Sequence, residues 1–288
     1  KNKYNMEDKR FDSKEKTPAI AKHFCNPGDL ISVLPALKSY YQTTGRKIII
    51  AQQLGVAANY YNGATHGTLS DDGNNVMVCM NRHIFDMIRP LVISQEYIED
   101  MVVFDGQSPV VIDLDVIREK VFVNLPNGSI QSWVMYAYPD LAYNLSNTWI
   151  DLPEVDLPII DYIKDKIIIN FTERYRNGHI NYFFLRKFKH RLVFAGTEKE
   201  YLLFCNTWGI DMPKLEVKNF LELAYAIKHC KFLLANQSMC WGIAEALKSP
   251  RVLEVCRYAQ NCMPYYGEKS FGYFHQQGVE HYVDILTC

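Results

Sequence analysis

Apolar and polar positions along the chain switch repeatedly between a strand-like and a helix-like period. Residues 18–25 predict a short strand, and residues 26–29 a turn. Apolar side chains then recur at helical spacing over residues 30–41, and Gly45 predicts the end of that helix. Residues 47–51 follow as a buried strand. Strand, turn, helix and strand make a βαβ unit, whose crossover is expected to be right-handed.

The first half continues with a predicted helix over residues 76–93, strands over 101–105 and 110–113, and a helix over 129–138. A segment with few periodic runs follows, and it contains three prolines: Pro139, Pro153 and Pro158. We therefore expect the domain boundary there, with an N-terminal domain of residues 1–155 and a C-terminal domain of residues 156–288.

A second alternation fills the C-terminal half. Strands are predicted over residues 166–170, 191–195, 232–235 and 251–255. Helices are predicted over residues 180–188, 199–207, 220–228 and 241–247, and the tail from Pro264 is predicted to be irregular. Two successive alternations predict an α/β protein with two Rossmann-like domains and parallel sheets.

Composition narrows the class of protein. The chain has 288 residues, 48% of them hydrophobic and 22% charged, which is typical of about two globular domains. The net charge of −1 disfavours binding to nucleic acid or to an anionic membrane. No apolar run approaches the ~20 residues of a membrane span, and the polar segment over residues 1–16 is not typical of a secretory signal.

The eight cysteines are typical of free core thiols in a cytoplasmic protein. Most lie in apolar segments, and none forms a Cys-x-x-Cys pair. Cysteine and histidine residues show no clustered spacing, so no metal site is expected from them.

Ligands of open α/β sheets bind beyond the carboxyl ends of the strands, so loops after strands are the candidate sites. The first such loop contains Asn26, Gly28 and Asp29. Glycine permits a tight turn and the close approach of a ligand. Asp29 is either a helix cap or a general base.

Two further loops indicate an anion site. Thr172, Arg174 and Arg176 follow the strand over residues 166–170, and they offer a hydroxyl and two guanidinium groups. An ordinary solvated loop is the alternative. Gly196 and Thr197 precede a helix whose amides attract anions, although Thr197 is equally suited to be an N-cap.

A fourth loop carries Asn236, Gln237 and Ser238 between two apolar elements. These polar groups either cap the backbone or bind a nucleotide diphosphate or a sugar. Glu245, farther along the next helix, either accepts a ribose hydroxyl or is an exposed helical glutamate.

Other motifs are weak or missing. Asp113 and Asp115 match an Asp-x-Asp pattern by which some glycosyltransferases hold a divalent metal. The sequence lacks Gly-x-Gly-x-x-Gly after the first strand, the P-loop motif and Gly-x-Ser-x-Gly. This disfavours dinucleotide dehydrogenases, P-loop enzymes and hydrolases with a nucleophile elbow.

Several segments together resemble the heptosyltransferase-like glycosyltransferases of family nine, and their order and spacing match over most of the chain. The matching segments are Gly-Asp-Leu-Ile at 28–31, Leu-Pro-Ala-Leu at 34–37, Leu-Glu-Leu-Ala at 221–224, Lys-Phe-Leu-Leu-Ala-Asn-Gln-Ser at 231–238 and Ala-Glu-Ala-Leu-Lys-Ser-Pro at 244–250. The family's donor loop reads Asp-Ser/Thr-Gly-Pro-x-His. Here residues 237–242 read Gln-Ser-Met-Cys-Trp-Gly.

The resemblance implies a glycosyltransferase B-type architecture of two Rossmann-like domains, with the acceptor mainly on the first and the nucleotide-sugar donor on the second. It implies an inverting transfer without a metal or a cofactor. Asp29 takes the place of the family's general base. Thr172 and Arg174 or Arg176 take the place of the residues that hold the donor phosphates.

We therefore expect a cytoplasmic glycosyltransferase that moves a sugar from a nucleotide-diphosphate sugar to an acceptor hydroxyl. Three alternatives stay open. They are an inactive nucleotide-sugar-binding or interaction protein, motivated by the altered donor loop, a sugar-nucleotide epimerase, and a metal-dependent transferase using Asp113 and Asp115. Sequence does not give the oligomeric state.

Overall fold

A computed structural model describes residues 16–58, 67–118, 129–259, 261–263 and 267–288. The chain divides into two compact units. One comprises Lys1–Leu125 and Gln131–Tyr143, and the other comprises Pro126–Ile130 and Asn144–Cys288. Both contain a parallel sheet with helices, which confirms the predicted α/β class with two Rossmann-like units.

The first unit is built on a four-stranded sheet in the order β5-β2-β1-β6, with every pairing parallel. Its strands are β1 (Ala19–His23), β2 (Ile48–Gln52), β3 (Thr68–Leu69), β4 (Met77–Val78), β5 (Ile98–Val103) and β6 (Ile112–Asp113). Its helices are α1 (Pro27–Thr44), α2 (Arg82–Ile93) and α3 (Trp133–Ala137). The short strands β3 and β4 pair antiparallel.

Helix α1 begins earlier than its apolar period predicts. Pro27 occupies the first turn, where its missing N–H is not needed, so residues 27–29 are helical rather than a turn. The helix ends at Gly45, whose φ of 70° is left-handed and whose N–H donates to the carbonyl of Tyr41. That end is the predicted one.

The predicted helix over residues 76–93 is too long. Residues 77 and 78 form β4, and α2 begins only after Asn81, whose side chain accepts a hydrogen bond from the N–H of Ile84. The apolar positions before Asn81 belong to a strand pairing, which a helical period does not distinguish over so short a run.

The second unit contains a five-stranded parallel sheet in the order β11-β10-β9-β7-β8. Its strands are β7 (Ile167–Asn170), β8 (Leu192–Phe194), β9 (Phe232–Ala235), β10 (Arg251–Glu254) and β11 (Ser270–Tyr273). Its helices are α4 (Pro158–Ile163), α5 (Glu198–Trp208), α6 (Phe220–His229), α7 (Met239–Leu247) and α8 (Gln276–Thr287). Strands β7 to β10 are buried at every position, as expected for strands covered on both faces. In both units together, 3₁₀ helices span Leu114–Arg118, Ile130–Ser132, Pro139–Leu141 and Phe183–Arg191.

Two predictions in this unit are wrong. The tail forms β11 and α8, because Val279, Val283 and Leu286 bury one helical face. The predicted helix over residues 180–188 is instead a 3₁₀ helix that starts at Phe183.

The second boundary between the units, at Tyr143, lies earlier than residue 155. The segment after it is bound to helices of the second unit. The N–H of Trp149 donates to the carbonyl of Ala246 at 3.2 Å, and the Tyr225 hydroxyl donates to the carbonyl of Pro153 at 3.0 Å. Prolines mark this segment as irregular, but they do not show which unit it joins.

None of the helices in the described part of the chain combines the length and hydropathy that a membrane span requires. All eight cysteines are free thiols, and five of them are buried.

Candidate functional site

Asp29 lies in the first turn of α1, directly beyond the carboxyl end of β1. The N-cap position belongs to Asn26, in an extended conformation and without a side-chain cap hydrogen bond, so Asp29 is not the cap. The buried Oδ1 of Asn26 has no hydrogen-bond partner among the described residues. Gly28 places its carbonyl 2.9 Å from the Ser32 hydroxyl, which donates to it.

Arg118 is the partner of Asp29, and sequence reasoning missed it. The guanidinium Nη2 donates to Oδ1 of Asp29, and both side chains are largely buried, with 18% and 17% of their surfaces exposed. The pair joins residues far apart in sequence, at the start of α1 and at the end of the 3₁₀ helix Leu114–Arg118. In the sequence, the one indication of this role is that Arg118 closely follows the Asp-x-Asp motif.

Asp113 and Asp115 share a cation instead of presenting two open carboxylates. Lys22 Nζ lies 3.0 Å from Oδ2 of Asp113 and 3.7 Å from Oδ2 of Asp115. Oδ1 of Asp115 accepts a hydrogen bond from the N–H of Phe24 at 3.0 Å. Burial raises the pKa of Asp115 to about 7. This arrangement does not present the two carboxylates as an exposed Asp-x-Asp metal bridge.

His23, at the end of β1, is a second residue that sequence reasoning missed. It is buried, and burial lowers its pKa to about 4, so the imidazole is neutral at pH 7. Its Nδ1 lies 2.8 Å from Oε1 of Gln52 on the neighbouring strand β2.

In the second unit, the loops after β7, β8 and β9 meet at one edge of the sheet. Asn236 after β9 is fully buried, and its Oδ1 accepts from the N–H of Thr172 at 3.0 Å. Its Nδ2 donates to the carbonyl of Thr172 at 3.2 Å and to that of Arg174. Asn170 Nδ2 donates to the carbonyl of Ala195 at 2.6 Å. The structure therefore brings three of the predicted loops together.

Arg174 and Arg176 have different surroundings. The half-buried Arg174 makes no ion pair among the described residues, and its guanidinium lies 5.8 Å from the ring of Tyr175. Arg176 Nε donates to the buried Glu254 at 3.2 Å, and its guanidinium lies 4.5 Å from the ring of Phe171. The left-handed φ of 53° at Tyr175 separates the two arginines. Among the described residues, Arg174 is thus the guanidinium of the two that has no carboxylate partner.

Glu254 holds the loop around Arg176 through several hydrogen bonds. It accepts from the N–H of Asn177 and from the Tyr182 hydroxyl, which also contacts the Tyr273 hydroxyl. Burial raises the pKa values of both tyrosines well above the ordinary value, so both hydroxyls keep their protons.

Thr197 and Ser238 both cap helices. Thr197 forms a capping box with Glu200 at the start of α5, and Ser238 Oγ accepts from the N–H of Trp241 at the start of α7. A Cβ at Gly196 would lie 2.7 Å from the ring of Phe194, so the chain passes close to that side chain. Gln237 donates to Asn261 at 2.6 Å, while its buried Oε1 has no hydrogen-bond partner among the described residues.

Glu245 is buried within α7, so the interpretation as an exposed helical glutamate is wrong. Its Oε2 accepts from the fully buried Arg251 at 2.9 Å, and its Oε1 accepts from Lys248 at 2.9 Å. Both oxygens are occupied by protein cations. The structure thus does not place Glu245 with the loop residues as an available ligand for a ribose.

No protein-family model matches the sequence, and a comparison with curated proteins found no match either. Solved structures do match in fold. A glycosyl transferase of family 9 from Veillonella parvula DSM 2008 is 11% identical, with a TM-score of 0.51 over 87% of this chain and 86% of that one.

Two E. coli proteins give a similar match. ADP-heptose lps heptosyltransferase II is 13% identical, with a TM-score of 0.54 over 94% of this chain and 98% of that one. Heptosyltransferase WaaC with ADP is 11% identical, with a TM-score of 0.54 over 93% of this chain and 99% of that one. The chain therefore has the glycosyltransferase B-type fold of the heptosyltransferases, as the sequence resemblance implied.

Proposed function

We propose that this protein is an inverting glycosyltransferase that moves a sugar from a nucleotide-diphosphate sugar to an acceptor hydroxyl. The main observation in support is the position of the Asp29 side chain. A largely buried carboxylate lies at the carboxyl edge of the first sheet, in the first turn of α1, where the Gly-Asp pair resembles the family's, and Arg118 fixes one of its oxygens. The shared fold supports the same reading.

In this mechanism Asp29 is the general base. Because Arg118 donates to Oδ1, Oδ2 is the oxygen that we expect to take the proton of the acceptor hydroxyl. The acceptor oxygen then forms a bond to the anomeric carbon while the bond between that carbon and the diphosphate oxygen breaks. Displacement from the opposite face inverts the anomeric centre. Arg118 acts as a positioning residue.

The leaving diphosphate is stabilised by groups of the second unit. Arg174 offers a guanidinium that has no ion-pair partner among the described residues, and Thr172 offers a hydroxyl that lies 3.3 Å from the carbonyl of Arg174 and 3.4 Å from Oδ1 of Asn236. The N-terminus of α7, capped by Ser238, adds oriented backbone amides. Arg176 supports this loop through Glu254. We propose that no metal ion bridges the diphosphate, because Arg174 supplies the positive charge there.

The test begins with donor identification. A thermal-shift screen of nucleotides and nucleotide-diphosphate sugars identifies the donor, and calorimetry then gives its affinity. Asp29→Asn is expected to lower the transfer rate about 100- to 10,000-fold while leaving donor affinity within about twofold. Asp284→Asn, at an exposed ion pair with Lys187, is the matched control and should transfer normally. Full transfer by Asp29→Asn would remove the base assignment.

A second candidate is a nucleotide-sugar-binding protein without turnover. It is favoured by the donor loop, where Gln237 and Ser238 are already engaged with Asn261 and with the helix cap. Donor binding without transfer to any member of a broad acceptor panel would favour this candidate. Unchanged transfer rates with and without added Mg²⁺ or Mn²⁺ would support the absence of a bridging metal.

A further inference from the structure

We propose that His23, Cys25 and Asp115 form a binding site for one divalent transition-metal ion of the zinc class. Each of the three buried side chains offers one ligand atom, and these atoms lie within 4.8 Å of one another. All three residues belong to the first unit, whereas the diphosphate-binding groups proposed above belong to the second.

Parallel strands bring the three residues together. His23 ends β1, Cys25 follows two residues later, and Asp115 lies in the 3₁₀ helix after β6, the strand paired with β1. The N–H of Phe24, between the first two residues, donates to Oδ1 of Asp115 at 3.0 Å. That bond holds the carboxylate beside the histidine and the thiol.

The hydrogen bonds of Gln52 determine which imidazole nitrogen is free. Its Nε2 donates to the carbonyls of Gln53 at 3.1 Å and Cys25 at 3.4 Å, so its Oε1 is an acceptor. His23 Nδ1 must therefore carry the proton that is donated to Oε1 at 2.8 Å, and Nε2 carries the lone pair. Metal-binding histidines commonly donate their other N–H to such an acceptor, which fixes the tautomer.

Asp115 gives the independent indication of a missing partner. Its side chain is buried, and its Oδ2 has no hydrogen-bond partner among the described residues. The nearest cation is Lys22, whose Nζ is 3.7 Å away and is bound more closely to Asp113 at 3.0 Å. A buried carboxylate oxygen without a hydrogen bond is costly, and a metal ion would satisfy it.

Charge balance also favours a divalent ion. In the described part of the chain, the charged groups that interact at the site are two cations and three carboxylates, namely Lys22, Arg118, Asp29, Asp113 and Asp115. With every carboxylate ionised they carry one net negative charge, and a Cys25 thiolate adds another. A divalent ion neutralises both. Although burial raises the pKa of the Cys25 thiol, metal binding displaces the thiol proton directly.

The ligand types select the metal. One nitrogen, one sulfur and one oxygen suit zinc, whereas Mg²⁺ and Ca²⁺ prefer oxygen ligands alone. Zinc bonds of about 2.0–2.3 Å in a tetrahedron separate the ligands by roughly 3.3–3.8 Å, so the side chains would move together by about 1 Å. Three protein ligands leave the fourth position to water or to a substrate atom.

Cobalt substitution tests the site in the full chain. After dialysis against a chelator, Co²⁺ is titrated into the protein, and we expect one ion per chain. Absorption should show a low-symmetry or tetrahedral ligand field and a thiolate-to-cobalt charge-transfer band, both removed by Zn²⁺. Competition with a chromophoric chelator then gives the zinc affinity of each variant.

Three variants separate this site from other cysteines. Gln52→Leu should weaken zinc binding about 10- to 100-fold while keeping the charge-transfer band. Cys25→Ser should remove the band, and the nearly isosteric Asp115→Asn should weaken zinc binding more than Gln52→Leu does. Cys230→Ser, at a buried thiol in the second unit, is the matched control and should bind as the wild type does.

Absence of the band from the wild type would overturn the proposal, as would unchanged zinc affinity in folded Asp115→Asn and Gln52→Leu. Circular dichroism establishes folding, so these two variants decide the question even where Cys25→Ser does not fold. Because every measurement concerns metal binding, its outcome is independent of whether the protein transfers a sugar.

Discussion

The candidate site residues of the first unit and those of the second unit are held in place by different kinds of interaction. In the first unit, ion pairs fix the carboxylates, with Arg118 on Asp29 and Lys22 between Asp113 and Asp115. In the second unit, the three loops are joined by neutral amide groups, of which Asn236 is the centre. The first region therefore orients negative charge, and the second contains a guanidinium, that of Arg174, without an ion pair among the described residues.

Arg174 and Arg176 also differ in their interactions, although they are only two residues apart. Both follow one strand, and both suit a phosphate by residue type. Arg176 is committed to Glu254, whereas Arg174 has no carboxylate partner among the described residues. The residue type predicts what a side chain is able to bind, and its protein partners decide whether it is available.

Of the substitutions that test this comparison, Glu254→Ala is expected to have the largest effect, which is a loss of stability. This change leaves Arg176, the N–H of Asn177 and the Tyr182 hydroxyl without their acceptor. Loss of one partner of a buried ion pair should lower the free energy of unfolding by about 3–5 kcal/mol. Urea denaturation measures it.

Glu268→Ala, at an exposed glutamate of the same unit, is the control and should change stability by less than about 0.5 kcal/mol. A loss below about 1 kcal/mol in Glu254→Ala would contradict the structural role of the network.

The next largest effects are expected from substitution of the two arginines, which should change different properties of the protein. Arg174→Ala should weaken nucleotide affinity about 10- to 100-fold, equivalent to ~1.5–3 kcal/mol for a hydrogen bond to a charged group, without loss of stability. Arg176→Ala should mainly lower stability, because Glu254 loses its counter-ion. Calorimetry and urea denaturation of both variants separate the effects. If both variants stayed stable and lost the same nucleotide affinity, the distinction between a binding Arg174 and a structural Arg176 would be wrong.

Sequence patterns predicted the strands of the second sheet well. Phe232–Ala235 was predicted at its observed bounds, because a continuous apolar run between polar loops indicates a buried parallel strand. The tail after Pro264 was missed, since its aromatic residues obscured the helical spacing of Val279, Val283 and Leu286. Short-range periodicity is informative only where one face alone is apolar.

The candidate site was only partly predictable. Loop positions follow from strand ends, so Thr172 and Asn236 could be named and are found in contact. The partners that decide availability were not predictable, because Arg118 lies 89 residues from Asp29, and Arg176 lies 78 residues from Glu254. Such pairs depend on the strand order, which the local pattern does not contain.

A smaller effect is expected on Asn236→Ala. It removes the acceptor of the Thr172 N–H and the donor to two carbonyls, which should lower the free energy of unfolding by about 1–3 kcal/mol. Nucleotide affinity should fall as well, since the Thr172 loop is no longer held. The exposed Asn147→Ala is the matched control. Normal stability together with normal affinity would show that amide bonds do not organise this region.

The smallest expected effects concern the N-termini of two helices in the second unit, α5 and α7. Thr197 and Ser238 each accept a backbone N–H at an N-cap, so Thr197→Ala and Ser238→Ala should each lower stability by about 1 kcal/mol. If α7 alone supplies amides to the donor diphosphate, only Ser238→Ala also weakens nucleotide affinity. Calorimetry of the two variants decides this. An equal loss in Thr197→Ala would extend the anion site to α5, because both helices follow strands that pair with β7 in the same parallel sheet.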